Sequence, residues 1–100
     1  MRIGDITEIG GKKCPRPIYK PVVIQSYFEV KSGKKSNIHA CPISGQPEFP
    51  MELDVECCRT MRETHPIGTM FLVWGKINIR EGKGKYVYTY EGWPYEIINK

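Results

Sequence analysis

The alternation of apolar and polar side chains is clearest over residues 68–91, where it predicts one long β-hairpin. Gly82 and Gly84 favour a turn within this stretch, because glycine reaches positive φ at no steric cost. Residues 70–74 are apolar on both faces of the incoming arm, whereas residues 76–80 alternate between apolar and polar side chains. We therefore expect residues 70–74 to lie deep in a sheet and residues 76–80 to extend to a half-solvated tip.

The number of residues in the hairpin loop decides which side chains lie on the same face of the hairpin as the tyrosines. An even loop places the tyrosines of the outgoing arm with the isoleucines of the incoming arm, whereas an odd loop or a bulge places them with Lys76 and Asn78. We predict the even loop, because it pairs apolar with apolar side chains and leaves room for a tyrosine ring over Gly75. The tyrosines are Tyr86, Tyr88 and Tyr90, and the isoleucines are Ile77 and Ile79.

Shorter strands and one helix surround the predicted hairpin. The helix is predicted for about residues 54–64, with Asp54 as its N-cap and the dipeptide His65–Pro66 ending it. A change of phase at Gln25 and Ser26 indicates a bulge in one strand. The predicted strands comprise residues 3–9, 18–31, 38–43, 48–53 and 95–98, besides the two arms of the hairpin.

This order of elements, strands followed by one short helix and then strands again, predicts an α+β fold that is mostly β. We expect a strongly bent antiparallel sheet or a partly open small barrel, with the helix covering one end. One hundred residues suffice for one modest core, so residues 1–100 are predicted to form a single domain.

Composition is that of an ordinary globular protein. Hydrophobic residues make up 40% of the chain, yet no apolar run reaches the ~20 residues that a membrane span needs. The first residues lack the apolar core of a secretion signal, so we expect a cytoplasmic protein whose cysteines are thiols. The net charge of +4 favours polyanions only weakly.

Metal binding and catalysis have little support in the sequence. The candidate ligands lack the two close-spaced pairs of a structural zinc site, so we predict no metal and no cofactor. The sequence contains no phosphate-binding loop, dinucleotide fingerprint or His-Glu-x-x-His motif, so we predict no catalytic residue and favour a protein that is not an enzyme. The candidates considered are Cys14, His39, Cys41, Cys57, Cys58 and His65.

A non-catalytic binding or assembly role is the function that the sequence favours most. Trp74 shares the predicted outer face with Lys76 and Asn78, and Trp93 forms an aromatic turn with Tyr95. Partly exposed tryptophans are typical anchors for protein partners. We therefore predict protein binding or self-association through these five residues.

Nucleic-acid binding by a small β-barrel is the alternative. Small barrels bind single strands by stacking bases on aromatic side chains beside a basic rim. Three basic loops would supply that rim if they lay together, and they contain Lys12, Lys13 and Arg16, then Lys34 and Lys35, then Arg80, Lys83 and Lys85. A third hypothesis is a small-molecule pocket between helix and sheet, lined by Met61, Phe71, Val73 and tyrosines.

Overall fold

Within the residues that it describes, a computed structural model of the chain contains eight strands and one short helix. The structure describes residues 5–14, 16–30, 32–33, 37–82, 84–89 and 92–99. Its elements are β1 (Glu8–Ile9), β2 (Lys12–Lys13), β3 (Lys20–Phe28), β4 (Ile38–Pro42), β5 (Val55–Glu56), α1 (Arg59–Glu63), β6 (Met70–Arg80), β7 (Gly84–Thr89) and β8 (Glu96–Ile97). No helix in the described part of the chain is long and apolar enough to cross a membrane.

The main sheet curls into a nearly closed barrel. Its strand order is β4-β3-β6-β7-β5, and β8 pairs with the base of β6. All described pairings in this sheet are antiparallel except that of β5 with β7, which is parallel. The two ends of the order, β4 and β5, approach each other and leave an unsealed seam between them. The predicted α+β, mostly β fold is confirmed in its partly open barrel form.

Two hydrophobic clusters lie on opposite sides of the barrel wall, because successive side chains of a strand point to opposite faces. The inner cluster fills the barrel, and the outer cluster lies between the barrel and the N-terminal segment. The inner cluster consists of Val22, Ile24, Ala40, Phe49, Val55, Met61, Phe71, Val73 and Val87. The outer cluster consists of Ile9, Tyr19, Val23, Leu72 and Trp74.

The long hairpin is present, and its deep base and half-solvated tip are both confirmed. The even-loop prediction is wrong, because three residues separate the paired Arg80 and Gly84. Gly82 and Gly84 have φ values of 75° and 81°, the left-handed conformation that lets a short odd loop reverse the chain. Val87 therefore pairs with Ile77 on the barrel side, and the described tyrosines of β7 lie outside.

Gly75 explains why the barrel interior accepts a valine and not a tyrosine ring at this level. A Cβ atom at position 75 would lie 2.9 Å from Cγ1 of Val22 and 3.1 Å from Cγ1 of Val87. These contacts fill the space that we assigned to a tyrosine. Tight packing of two valines against one glycine thus selects the observed register.

The helix is shorter than predicted, because its expected first turn belongs to the sheet. Val55 and Glu56 pair with Val87 and Tyr88 as strand β5, and the carbonyl of Asp54 accepts a hydrogen bond of 2.8 Å from the Val87 amide. Asp54 is therefore not the N-cap. The helix begins at Arg59.

Three other boundaries differ from the prediction. Strand β3 pairs with β4 in unbroken register from Ile24 to Phe28, so the bulge expected at Gln25 and Ser26 is wrong. Residues 48–53 form turns instead of a strand, and the amide of Phe49 donates to the carbonyl of Gln46 at 3.0 Å. The first and last strands are confirmed only over residues 8–9 and 96–97, and residues 3–4 lie outside the described range.

The N-terminal segment is fastened across the outside of the barrel. Strands β1 and β2 form a small hairpin that buries Ile9 in the outer cluster. The amide of Gly10 donates to Oε1 of Glu96 at 3.0 Å, and Pro94 approaches so closely that a Cβ on Gly10 would lie 2.5 Å from its Cβ. The segment therefore contacts the barrel through both its apolar and its backbone groups.

Candidate nucleic-acid interface

The odd hairpin loop brings tyrosines and cations together on the outside of the barrel. In the register of β6 with β7, Lys76 lies opposite Tyr88 and Asn78 lies opposite Tyr86. All of these side chains are half-buried, so they are held in place and still meet solvent. We call this surface the hairpin outer face; its residues are Lys76, Asn78, Arg80, Tyr86, Tyr88 and the adjoining Tyr19.

Lys76 occupies the inner end of the hairpin outer face. Its Nζ lies 5.3 Å from the ring centroid of Tyr19 and 5.7 Å from that of Tyr88. The two ring centroids are 6.5 Å apart, with their planes tilted by 52°. These distances are within the range of cation–π attraction, so the ammonium group orders both rings.

Arg80 occupies the outer end of the same face. Its Cζ lies 4.1 Å above the ring of Tyr86, and its guanidinium donates to Oε2 of Glu56 at 2.7 Å. The hydrogen bond to Glu56 raises the pKa of the Arg80 guanidinium, although burial opposes this shift. Nδ2 of Asn78 donates to the hydroxyl of Tyr86 at 3.3 Å, which fixes the tyrosine between the two strands.

Basic residues of the first predicted loop border the hairpin outer face. The amide of Tyr19 donates to the carbonyl of Arg16 at 3.0 Å, and the thiol of Cys14 donates to the same carbonyl at 2.7 Å. These bonds hold Arg16 beside Tyr19. Lys12 and Lys13 precede this turn and are exposed. The Arg16 backbone therefore lies next to Tyr19, whose ring adjoins that of Tyr88.

Lys85 is the one remaining predicted basic residue that lies within the described part of the chain. Lys85 is exposed and pairs with Ile79, so it lies on the face opposite Lys76 and Arg80. Lys34, Lys35 and Lys83 lie outside the described residues.

The register of β3 with β6 places the Phe28 end of β3 away from the tip of the long hairpin. Gln25 pairs with Met70 and Lys20 pairs with Gly75, so the Phe28 end of β3 points away from Arg80.

The tryptophans predicted to anchor a partner are less accessible than expected. Trp74 is 3% exposed, so the expectation of a partly exposed side chain is wrong at this position. Its Nε1 is buried and has no hydrogen-bond partner among the described residues. Trp93 is half-buried against the outer cluster, and the hydroxyl of Tyr95 contacts Nε2 of His65 at 3.0 Å. Partner binding through these residues stays a prediction.

A small cavity lies near the site proposed for a small molecule. It has a volume of about 460 Å³ and lies between α1, the middle of β6 and the turn before β8. Met61, Val73 and Tyr95 line it, whereas Phe71 is fully buried in the inner cluster.

Cysteine and histidine side chains do not converge in the described residues. No group of three or more histidine, cysteine, aspartate or glutamate residues there is arranged to hold a metal ion. The four cysteines, all described, form no disulfide. Burial raises the pKa of Cys57 to about 11, outweighing the opposite effect of nearby Arg62, so this thiol is unreactive at neutral pH. His39 contacts the carbonyl of Glu29 at 2.8 Å.

The sequence did not indicate Tyr19 or Glu56, the partner of Arg80, and it predicted Tyr86 and Tyr88 to face the core. Tyr19 lies in a loop rich in proline, and Glu56 lies in the stretch that we predicted as helix. Each reaches the hairpin outer face through long-range packing. The odd loop alternative was the only local signal that pointed to this face.

Comparison with protein-family models, with curated proteins and with solved structures finds no match for the chain.

Proposed function

We propose that the protein binds single-stranded nucleic acid along the hairpin outer face. The observation that carries this proposal is the position of Tyr86 and Tyr88 outside the barrel, in the same row as Lys76 and Arg80. Aromatic rings stack on bases of any sequence, and cations neutralise the phosphates between them. Bases that stack on side chains must be unpaired, so a single strand fits this surface better than a duplex.

The architecture supports the same proposal by analogy. Five-stranded, partly open barrels of the OB type bind oligonucleotides on an outer face and neighbouring loops. The present barrel has five main strands, an unsealed seam and one short helix. Architecture alone does not determine function, so the argument depends on the side chains.

A bound nucleic acid would replace contacts that the side chains of the hairpin outer face already make with one another. Nζ of Lys76 lies 5.7 Å from the ring centroid of the half-buried Tyr88, so a base that stacks on this ring displaces the ammonium, which remains close enough to contact a phosphate. Arg80 already pairs with Glu56, so its charge contributes less. Lys76 is therefore the cation on which binding should depend most.

The test is fluorescence anisotropy with a labelled single strand, a matched duplex and a range of about 50 to 200 mM salt. We expect Lys76→Gln to weaken single-strand binding and to lower the salt slope by about one. Tyr86→Ala should weaken it about fivefold or more, as loss of one stacking ring does.

The matched control is Lys85→Gln, which removes the same charge from the opposite face of the same hairpin. It should change binding by less than Lys76→Gln at every salt concentration. Equal effects of the two variants, or no binding by the native protein at low salt, would contradict the proposal. Unfolding curves of each variant establish that the fold is retained.

A further inference from the structure

A large open cleft adjoins the hairpin outer face. It has a volume of about 1050 Å³ and lies between the N-terminal segment and the connection from β4 to β5. Tyr19 and Trp74 close its floor and are buried in the outer cluster. Its volume is at the upper end of those that bind small ligands.

The wall of the cleft is held firmly. The side-chain amide of Gln46 donates to the carbonyl of Val23 at 2.9 Å and accepts from the Val23 amide at 2.7 Å. Gln46 thus replaces a strand beside β3, beyond the last pairing with β4. The amide also donates to the carbonyl of Ile43 at 3.1 Å, so the connecting segment is fixed at two points.

The chemistry of the lining is apolar with basic groups at the mouth. Pro17, Pro21 and Pro47 provide flat apolar walls. Lys13 and Lys20 are exposed at the edge. A ligand with a flat ring system and a phosphate matches this combination.

Tyr19 joins the cleft to the hairpin outer face. Tyr19 lines the cleft, and its ring centroid lies 6.5 Å from the ring centroid of Tyr88 on the hairpin outer face. A single-stranded nucleic acid that follows the hairpin outer face towards Lys76 therefore arrives at the mouth of the cleft. The five residues of β6 from Lys76 to Arg80 span only about 13 Å, so a longer nucleic-acid strand must continue beyond the hairpin.

We propose that the cleft is a nucleotide subsite for that strand, an inference that rests on the proposed function. One base of the strand packs between the proline walls, and its phosphate binds Lys13 and Lys20. Strands long enough to reach the cleft then bind more tightly than strands that cover the outer face alone.

Glu48 offers a test in which removing a charge should strengthen binding instead of weakening it. Its carboxylate lies 2.8 Å from Nζ of Lys20, and both side chains are more than half exposed. An incoming phosphate must compete with this carboxylate for Lys20. Glu48→Gln removes the competing charge and should strengthen binding of long strands by about two- to fivefold, as expected for one exposed charge pair.

The experiment uses oligodeoxythymidylates of about three to twelve nucleotides, a range that covers common single-strand site sizes. Lys13→Gln should lower the salt slope by about one for the long strands and leave the shortest strands unchanged. Glu63→Gln is the control for Glu48→Gln, because Glu63 pairs with Arg59 on the helix, away from the cleft lining. A strand carrying 4-thiothymidine should cross-link to residues 13–21 only when it is long.

The outcomes separate this inference from the proposed function. If Lys76→Gln weakens all strands but Lys13→Gln and Glu48→Gln change none, the cleft proposal is wrong and the outer face remains. If affinity does not rise with length, or cross-links fall outside residues 13–21 and 43–49, the cleft proposal is also overturned. If the native protein binds no strand of any length, both proposals fail.

Discussion

The two halves of β6 differ in what surrounds them, although they belong to one continuous strand. Residues 71–74 are buried on both faces, between the inner and outer clusters. Beyond Gly75 the strand becomes more exposed towards its tip: Ile79 is 75% exposed on one face, and Lys76 is half-buried on the other. Strand β7 accompanies this distal half, whereas β3 pairs only with the basal half.

This difference separates stability from recognition within one element. The basal half gains its stability from apolar burial on both sides, so its side chains are constrained by volume. The distal half contributes little burial, so its polar and aromatic side chains are open to selection for binding. The hairpin outer face therefore lies on the half of β6 whose side chains are less constrained by core packing.

The largest expected effect on stability comes from truncating a buried side chain in the basal half of β6. Truncation of an exposed side chain in the distal half is the comparison. Phe71→Ala should lower the free energy of unfolding by about 3–5 kcal/mol, because Phe71 is fully buried in the inner cluster. Ile79→Ala should change it by no more than about 0.5 kcal/mol, since its side chain is mostly in solvent. Urea unfolding measures both values. A cost above about 1.5 kcal/mol for Ile79→Ala would mean that another surface covers the tip in solution.

Gly75 lies at the boundary between the two halves of β6, and its substitution should have an intermediate effect on stability. Gly75→Ala should destabilise the protein by about 1–3 kcal/mol, because the new methyl group meets Val22 and Val87 at 2.9 and 3.1 Å. Thermal unfolding of the single variants and of the double variant with Val22→Ala forms a thermodynamic cycle. The double variant should be more stable than the sum of the single effects predicts. Strict additivity would show that the valine does not oppose the methyl group.

The smallest expected effect concerns the ion pair at the tip. Arg80→Gln should cost less than about 1 kcal/mol, because Glu56 and Arg80 are both partly exposed. The coupling energy from a double-mutant cycle with Glu56→Gln should fall as salt is added. A coupling that resists salt would place the pair in a more enclosed site than the one described.

The sequence predicted the elements whose patterns are local. The hairpin, its deep base and the β3–β4 pair follow from alternation and from turn residues that act over a few positions. The helix was placed too early, because Val55 and Glu56 pair with β7 thirty residues later. Such parallel pairing leaves no mark in the local pattern, and a short apolar stretch next to a polar one fits helix and strand alike.

The candidate site was harder to predict because it depends on whether the loop between β6 and β7 has an even or an odd number of residues. A loop of one more or one fewer residue exchanges the two faces of the whole outgoing arm. Matching apolar side chains across the hairpin favours an even loop, which is wrong because Ile77 and Ile79 are exposed and are not part of the core. The tight contact of Val22 and Val87 with Gly75 decides the register, and it involves a strand fifty residues away.

The fastening of Gly10 to Glu96 has a consequence for the order of folding. These residues are 86 positions apart, and the outer cluster likewise joins Ile9 with Leu72 and Trp74. On the ribosome the N-terminal segment emerges early but has no barrel to dock on until the long hairpin has been made. Closing so large a loop is slow compared with local pairing. The N-terminal segment is therefore made before the hairpin on which it docks, so Ile9 lacks its outer-cluster partners until Leu72 and Trp74 have been made.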